Sequence, residues 1–208
     1  MKASKANISI VVLIIFHVVG IGGILFGDAS SFLHLTPLNS LLTLAIILFN
    51  HIDWKNAWVF AATFIVGFSI EVIGVNFGWP FGEYVYGDVL GWKVFQTPLI
   101  IGVNWLILLY ASIALARRFS LSQITTALLA AAIMVVLDYL IEPVAIRFNF
   151  WTWKSYTPPL TNYLAWFGIS ALLAFIWERS KIRLNTKIAL AVYAIEIGFF
   201  GMLNLLPQ

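Results

Sequence analysis

Four acidic residues, Glu71, Asp138, Glu142 and Glu196, each stand within a long apolar stretch of the sequence. An ionised side chain at the centre of a bilayer costs on the order of 3 kcal/mol by insertion scales. Residues of this kind are therefore paired, protonated or functional. Asp138 and Glu142 are four residues apart, so on a helix they project from one face, one turn apart.

The chemistry that such carboxyl groups favour is proton transfer. A carboxyl group in apolar surroundings favours its neutral acid form, and an acid that stays protonated at neutral pH can donate a proton to a substrate. The structural alternative is hydrogen bonding between neighbouring helices. Because Glu71 is expected at a depth similar to that of Asp138 and Glu142, we interpret these three residues as catalytic candidates.

The elements that must position these residues are membrane helices. The 208-residue chain is 62% hydrophobic and 10% charged, whereas soluble domains carry about 25% charged residues. We predict an all-α polytopic helix bundle, a single integral-membrane domain over residues 1–208. The basic start and the apolar run after it predict a retained first helix rather than a cleaved signal peptide. Seven segments are long and apolar enough to span: 8–27, 33–50, 57–76, 97–116, 121–143, 161–178 and 186–205.

The distribution of Lys and Arg predicts the orientation of the bundle. Nine of the twelve basic residues, Lys2 among them, fall on one side, and Lys93, Arg147 and Lys154 fall on the other. By the positive-inside rule the N-terminus is cytoplasmic. The two long connections, 77–96 and 144–160, then lie on the extracytoplasmic side, most simply of a prokaryotic cytoplasmic membrane.

Both long connections are rich in aromatic residues. An interfacial belt of Trp and Tyr explains part of this enrichment, and the remainder is enough to line a cleft and to stabilise a cation. Asn104 and Asn162, expected near the outer starts of two helices, are either helix contacts or groups that orient water. The predicted substrate-binding residues are Trp79, Phe81, Tyr84, Tyr86, Asn104, Trp105, Trp151, Trp153, Asn162 and Trp166.

Two stretches of the chain, 57–116 and 121–178, share an order of residue types that predicts an internal parallel repeat. In each, a glutamate is followed by aromatic residues, by a Pro-Leu pair, and by a tryptophan seven residues after the proline. If the repeat is real, the two glutamates face a common site. The corresponding residues are Glu71, Pro98 and Trp105 in the first stretch, and Glu142, Pro159 and Trp166 in the second.

Several classes of protein do not fit these residues. The three histidines are scattered rather than clustered as di-iron ligands, no paired Asp cluster suits magnesium, and there is no cysteine. We therefore expect no metal, no cofactor and no nucleic-acid partner. His17 and Glu196, both near the middle of helices, are expected to pair structurally. Arg147 is expected to pair with a carboxylate or to lie at the membrane interface.

A series of motifs runs between residues 60 and 170: Glu71…Gly78-x-x-Phe81-Gly82-x-Tyr84-x-Tyr86, Pro98…Trp105, Asp138-x-x-x-Glu142-Pro143-x-Ala145, Trp151-x-Trp153 and Pro159-x-x-Asn162. These motifs resemble those of the integral-membrane carotenoid biosynthesis proteins, which include carotenoid 1,2-hydratases acting on bisanhydrobacterioruberin and on lycopene or γ-carotene ends.

This resemblance implies cofactor-independent addition of water to the terminal carbon–carbon double bond of an acyclic carotenoid end. It implies a carotenoid substrate, a lipid bilayer and other carotenoid-pathway membrane enzymes as partners. Asp138 or Glu142 would donate the proton, and Glu71 would accept a proton from water or position it. Two alternatives stay open: a carotenoid cyclase or isomerase that begins with the same protonation, and a transporter or lipid-binding membrane protein.

Overall fold

The computed structural model describes residues 4–205, and it confirms an all-α helix bundle. Seven helical units are long and apolar enough to cross a membrane. The second unit consists of two helices, α2 and α3, because the chain turns at His34 and Leu35. Lys2, counted in the charge balance, lies outside the described residues. The helices are α1 (Lys5–Phe26), α2 (Ala29–Leu33), α3 (Thr36–Phe49), α4 (Trp58–Phe77), α5 (Ile100–Ala116), α6 (Gln123–Arg147), α7 (Leu160–Ser180) and α8 (Thr186–Asn204).

Polar side chains and one glycine define several helix ends. The side-chain oxygens of Ser4, Ser122 and Asn185 accept hydrogen bonds from backbone N–H groups in the first turns of α1, α6 and α8. Each bond satisfies a donor that has no partner within the helix. Helix α4 ends at Gly78, whose φ of +67° is left-handed and favours glycine. This turn leads the chain from α4 into the first long connection.

Several predicted boundaries differ from the structure by a few residues, and two of these differences lie beside the site. The fifth segment was predicted to end at Pro143, but α6 continues to Arg147. A proline removes one backbone hydrogen bond without ending every membrane helix, so Glu142 lies inside α6. The fourth segment was predicted to begin at residue 97, but Thr97–Pro98 (β3) pairs with Lys93–Val94 (β2). Helix α5 therefore begins three residues later, at Ile100.

Helix α5 is the centre of the bundle. In an apolar stretch of 18 residues that includes most of α5, 83% of the residues are buried, compared with 22–44% in the corresponding stretches of the other six spans. Trp105, Leu109 and Tyr110 are 0% exposed. A helix that is apolar on all sides is buried either in protein or in lipid, and here α3, α4, α6 and α8 all pack on α5.

The two long connections meet at one end of the bundle. Tyr84–Tyr86 (β1) forms an antiparallel pair with Trp151–Trp153 (β4), with Tyr84 opposite Trp153 and Tyr86 opposite Trp151. This pairing confirms that both connections lie at the same face. That this face is extracytoplasmic stays a prediction, as does the internal repeat.

The close approach of α4 to α5 depends on Gly67. A Cβ atom at this position would lie 2.5 Å from Cγ of Trp105, closer than real contacts allow. Glu71 follows Gly67 by one helical turn on the same face of α4. The missing side chain therefore lets Trp105 lie against α4 beside the Glu71 carboxyl group.

Candidate active site

A cavity of about 250 Å³ runs through the bundle, and all four membrane carboxylates line it. One part of its wall comes from α4–α7 and the strands β1 and β4, and contains Glu71, Asp138 and Glu142. The other part comes from α1, α3 and α8, and contains Glu196. Both parts are largely apolar, so the carboxylates are the main charged groups in the lining.

Glu71 is held by three hydrogen bonds and is only 3% exposed. The hydroxyl groups of Tyr84 and Tyr86 donate to its Oε2 at 2.6 and 2.8 Å, and Trp105 Nε1 donates to its Oε1 at 3.0 Å. Burial, and then the adjacent Glu71 carboxylate, raise the pKa of Tyr84 and Tyr86 well above the ordinary value of 10. Both phenols therefore remain protonated donors at physiological pH.

Glu142 has an equivalent set of donors from the second connection. Trp151 Nε1 and Trp153 Nε1 donate to its Oε2 at 3.0 and 2.9 Å, and Asn162 Nδ2 donates to its Oε1 at 3.3 Å. The same Asn162 nitrogen donates to Oδ2 of Asp138 at 3.0 Å. One neutral amide therefore bridges two buried carboxyl groups.

Asp138 has fewer partners than the other two carboxyl groups. It is 1% exposed, and within residues 4–205 its only hydrogen bond is the one from Asn162. Its second oxygen, Oδ1, accepts no hydrogen bond there, although Asp138 lines the cavity. Of the three acidic groups in this part of the wall, Asp138 is the one with an oxygen left for a ligand.

Secondary structure explains how the sequence brings these groups together. Residues two apart on a strand point to the same face, so Tyr84 and Tyr86 both reach Glu71, whereas Val85 between them is 63% exposed. The same spacing places Trp151 and Trp153 on Glu142. The antiparallel pairing of β1 with β4 then joins the two sets of donors.

Aromatic rings form much of the wall beside the carboxyl groups. Trp105 and Trp166 stack with ring centroids 4.3 Å apart and planes inclined by 20°. Tyr84 and Trp153 lie 4.9 Å apart. Such π faces attract a positive charge, and more strongly where water is excluded.

The structure brings together all but one of the residues predicted for the site. Trp79 does not line the cavity: it is 65% exposed, because the left-handed turn at Gly78 carries the chain away from α4. Arg147 pairs with no carboxylate in residues 4–205; it donates to the carbonyl of Leu203 at 3.0 Å. The predicted residues that line the cavity are Glu71, Phe81, Tyr84, Tyr86, Asn104, Trp105, Asp138, Glu142, Trp151, Trp153, Asn162 and Trp166.

Sequence reasoning missed the part of the cavity that α1, α3 and α8 form. His17 and Glu196 were predicted to pair, and His17 Nε2 does lie 3.8 Å from Glu196 Oε1. Both residues nevertheless line the same cavity as the acidic groups, together with Asn39. A polar Asn39 within an apolar span was the available signal, because polar side chains inside membrane helices are costly.

The described residues offer no obvious site for a metal ion. Between residues 4 and 205, no group of three or more His, Asp or Glu side chains is placed to hold one. The oxygens of Glu71 and Glu142 instead accept hydrogen bonds from aromatic and amide groups.

Comparisons with known proteins agree with the resemblance seen in the sequence. The family described as "Carotenoid biosynthesis protein" matches residues 33–208. A bisanhydrobacterioruberin hydratase from Haloarcula japonica is 30% identical over 156 residues, which cover 68% of this chain and 52% of that protein. The chain thus spans about half the length of this curated relative. No solved structure matches the chain.

Proposed function

The chain belongs to the carotenoid biosynthesis protein family, and we propose that it is a hydratase that adds water to the terminal carbon–carbon double bond of an acyclic carotenoid end. The named activity of the Haloarcula japonica relative, bisanhydrobacterioruberin hydratase, supports this proposal. The observation that carries it is the pair of buried carboxyl groups, Asp138 and Glu142, that share the Asn162 amide at the wall of an apolar cavity.

Asp138 is the proposed proton donor. Two carboxylates bound to one amide nitrogen repel each other when both are ionised, so the pair is relieved by holding one proton. Glu142 already accepts three hydrogen bonds, two of them from tryptophan N–H groups. The unpartnered oxygen of Asp138 is therefore the best place for a proton that faces a ligand.

The reaction balances without a cofactor. The π electrons of the terminal alkene take the proton from Asp138, and the new C–H bond leaves a tertiary carbocation on the more substituted carbon. The Trp105–Trp166 stack and the Tyr84 and Trp153 rings supply π faces to this cation. Water then forms the C–O bond with the cation and loses one proton. This proton returns to the carboxylates of the site, so that Asp138 is protonated again.

Glu71 has the role of a fixed acceptor in this scheme. Its three donors hold the carboxylate in one position. Oε1 accepts only the bond from Trp105, so it keeps a lone pair that can orient a water molecule or accept its proton. Glu71 is therefore assigned to the capture of the cation rather than to its formation.

The size and opening of the cavity suit an end group rather than a whole polyene. Pockets for drug-sized ligands have volumes of roughly 300–1,000 Å³, and this cavity has about 250 Å³. Four apolar residues of its lining are about half exposed: Phe16 and Val19 on α1, Leu35, which precedes α3, and Leu38 on α3. These residues face the lipid, so the rest of the carotenoid can remain in the bilayer.

The proposal is tested by expressing the chain in a bacterial host that accumulates an acyclic carotenoid, and by analysing the pigments by mass and absorption spectrum. We expect a product heavier by one water per modified end, with Asp138→Asn as the inactive control. A product of unchanged mass with a changed spectrum would instead indicate a cyclase or isomerase. Unchanged pigment from a well-expressed protein would contradict the proposal and favour transport or lipid binding.

A further inference from the structure

A second polar cluster, formed by His17, Asn39 and Glu196, lines the cavity from the opposite set of helices. These residues come from α1, α3 and α8, whereas the acidic groups of the proposed mechanism come from α4 and α6. The proposed reaction assigns no role to this cluster. Polar groups in an otherwise apolar wall are costly unless each is paired or hydrogen-bonded.

The hydrogen bonds of His17 define which of its nitrogens faces the cluster. Nδ1 lies 2.8 Å from the carbonyl oxygen of Leu13, and because a carbonyl only accepts, Nδ1 carries the hydrogen. Nε2 lies 3.2 Å from Asn39 Nδ2; an amide nitrogen only donates, so in the neutral imidazole Nε2 accepts this bond. The ring of Phe199 packs edge-on against the imidazole at 5.6 Å and holds its orientation.

The cluster contains more acceptors than donors. Glu196 lies 3.8 Å from His17 Nε2, beyond hydrogen-bond distance, and accepts no hydrogen bond within residues 4–205. Oδ1 of Asn39 is buried and also has no hydrogen-bond partner in that range. The Glu196 carboxylate, His17 Nε2 and Asn39 Oδ1 thus share a single donor group, the Asn39 amide.

A ligand that matches this cluster must supply hydrogens. We propose that His17, Asn39 and Glu196 bind an O–H donor within the cavity, either a hydroxyl group of an isoprenoid ligand or a water molecule. The water case rests on the proposed hydration, because a water held there would supply the one that Glu71 orients. The alcohol case does not depend on any reaction, so it can be tested by binding alone.

The binding test compares farnesol with the hydrocarbon farnesene, which lacks the hydroxyl group. Affinities are measured by isothermal titration calorimetry with the full chain in detergent micelles. We expect farnesol to bind about fivefold more tightly, which corresponds to one net hydrogen bond of ordinary strength. Equal affinities for the two probes would overturn the proposal.

Variants test whether the preference for farnesol over farnesene depends on His17 and Glu196. Glu196→Leu and His17→Phe should remove the farnesol preference, and the milder Glu196→Gln should reduce it if the leucine variant does not fold. His51→Phe is the matched control, since His51 is another buried histidine but does not line the cavity. A preference that survives in folded Glu196 and His17 variants would show that the cluster is structural only.

Measurements of turnover distinguish a bound water molecule from a hydroxyl group of the substrate. If the ligand is water, Glu196→Gln lowers hydration of carotenoid ends with and without a hydroxyl group, and more of the cation loses a proton to give a product of unchanged mass. If the ligand is a substrate hydroxyl, the variant raises the KM for hydroxylated ends only. Farnesol binding is measured without turnover, so failure of the proposed reaction does not obscure this result.

Discussion

The two acidic pockets of the cavity have a common plan but different contents. In each, a glutamate in the C-terminal half of a helix accepts hydrogen bonds from two aromatic side chains spaced two residues apart on a short strand. The pocket around Glu71 contains one carboxyl group and three donors. The pocket around Glu142 contains a second carboxyl group, Asp138, and one amide that serves both.

The two pockets therefore differ in whether their carboxyl groups are fully hydrogen-bonded or must bind a proton. Three donors around a single carboxylate compensate its charge and hold it in place. Two carboxylates that share one amide have too few donors for two negative charges, so one bound proton stabilises the pair. In the proposed mechanism, proton donation therefore belongs to the Asp138 pocket and orientation of water to the Glu71 pocket.

Among the substitutions that test this difference, Asp138→Asn is expected to lower conversion of the carotenoid the most. The amide keeps the shape of the side chain and an oxygen for Asn162, but it has no acidic proton to donate. Conversion should fall by about 10²–10⁴-fold, the usual contribution of a general acid. Pigment analysis measures the loss, and an unchanged thermal midpoint in detergent shows that folding is intact. Normal conversion would move the proton donor to Glu142 or Glu71.

Glu71→Gln should have a smaller effect on conversion and a larger effect on stability. An amide offers one acceptor oxygen where Tyr84, Tyr86 and Trp105 need two, so at least one buried donor loses its partner. Such a loss costs about 1–3 kcal/mol, and we expect conversion to fall about tenfold. Thermal unfolding in detergent checks the stability, with exposed Glu83→Gln as the control. A loss of conversion as severe as that of Asp138→Asn would contradict the division of roles.

Gly67→Ala tests whether the Glu71 pocket depends on the close approach of α4 to α5. The added methyl group would displace Trp105, which both donates to Glu71 and stacks on Trp166. Overpacking of this kind costs about 1–3 kcal/mol, and conversion should fall a few-fold.

The control for this substitution is Gly168→Ala in α7. A Cβ at Gly168 meets no atom within 4 Å, so this change should leave conversion unchanged. Equal thermal midpoints for the two alanine variants would mean that the contact between Gly67 and Trp105 is not important for stability.

Trp79→Ala should have the smallest effect, although the sequence predicted Trp79 as a substrate-binding residue. Its side chain is 65% exposed and does not line the cavity, so conversion should stay within about twofold of the wild type. Trp153→Phe is the variant to compare with it, because it removes a donor from Glu142. Conversion should fall about fivefold, which corresponds to one hydrogen bond of ordinary strength. A greater loss in Trp79→Ala than in Trp153→Phe would restore the original prediction.

The sequence predicted the parts of this site that follow from short-range periodicity. The four-residue spacing of Asp138 and Glu142 places them on one helical face. The number of spans followed from apolar length. Twelve of the residues that line the α4–α7 side of the cavity were named without knowledge of the helix packing, whereas Phe150 and the aliphatic lining residues were not.

What the sequence did not predict depends on packing between distant segments. The strands β1 and β4 are three residues long, too short for a periodic signal, and their pairing joins residues almost seventy positions apart. Nothing local in α1, α3 or α8 indicated that His17, Asn39 and Glu196 would share a cavity with Asp138. Trp79 was assigned to the site because it is aromatic, but the backbone turn at Gly78 decides its direction.

The most direct test of the central claim is isotopic labelling of the product. Membranes that contain the protein are incubated with an acyclic carotenoid in heavy water, and separately in water enriched in heavy oxygen. The account predicts one deuterium on the carbon next to the new C–O bond and one heavy oxygen in each new hydroxyl group, with neither label incorporated by Asp138→Asn membranes. A hydroxyl oxygen that does not come from water, or a product without the deuterium, would contradict protonation by the buried acid followed by capture of water.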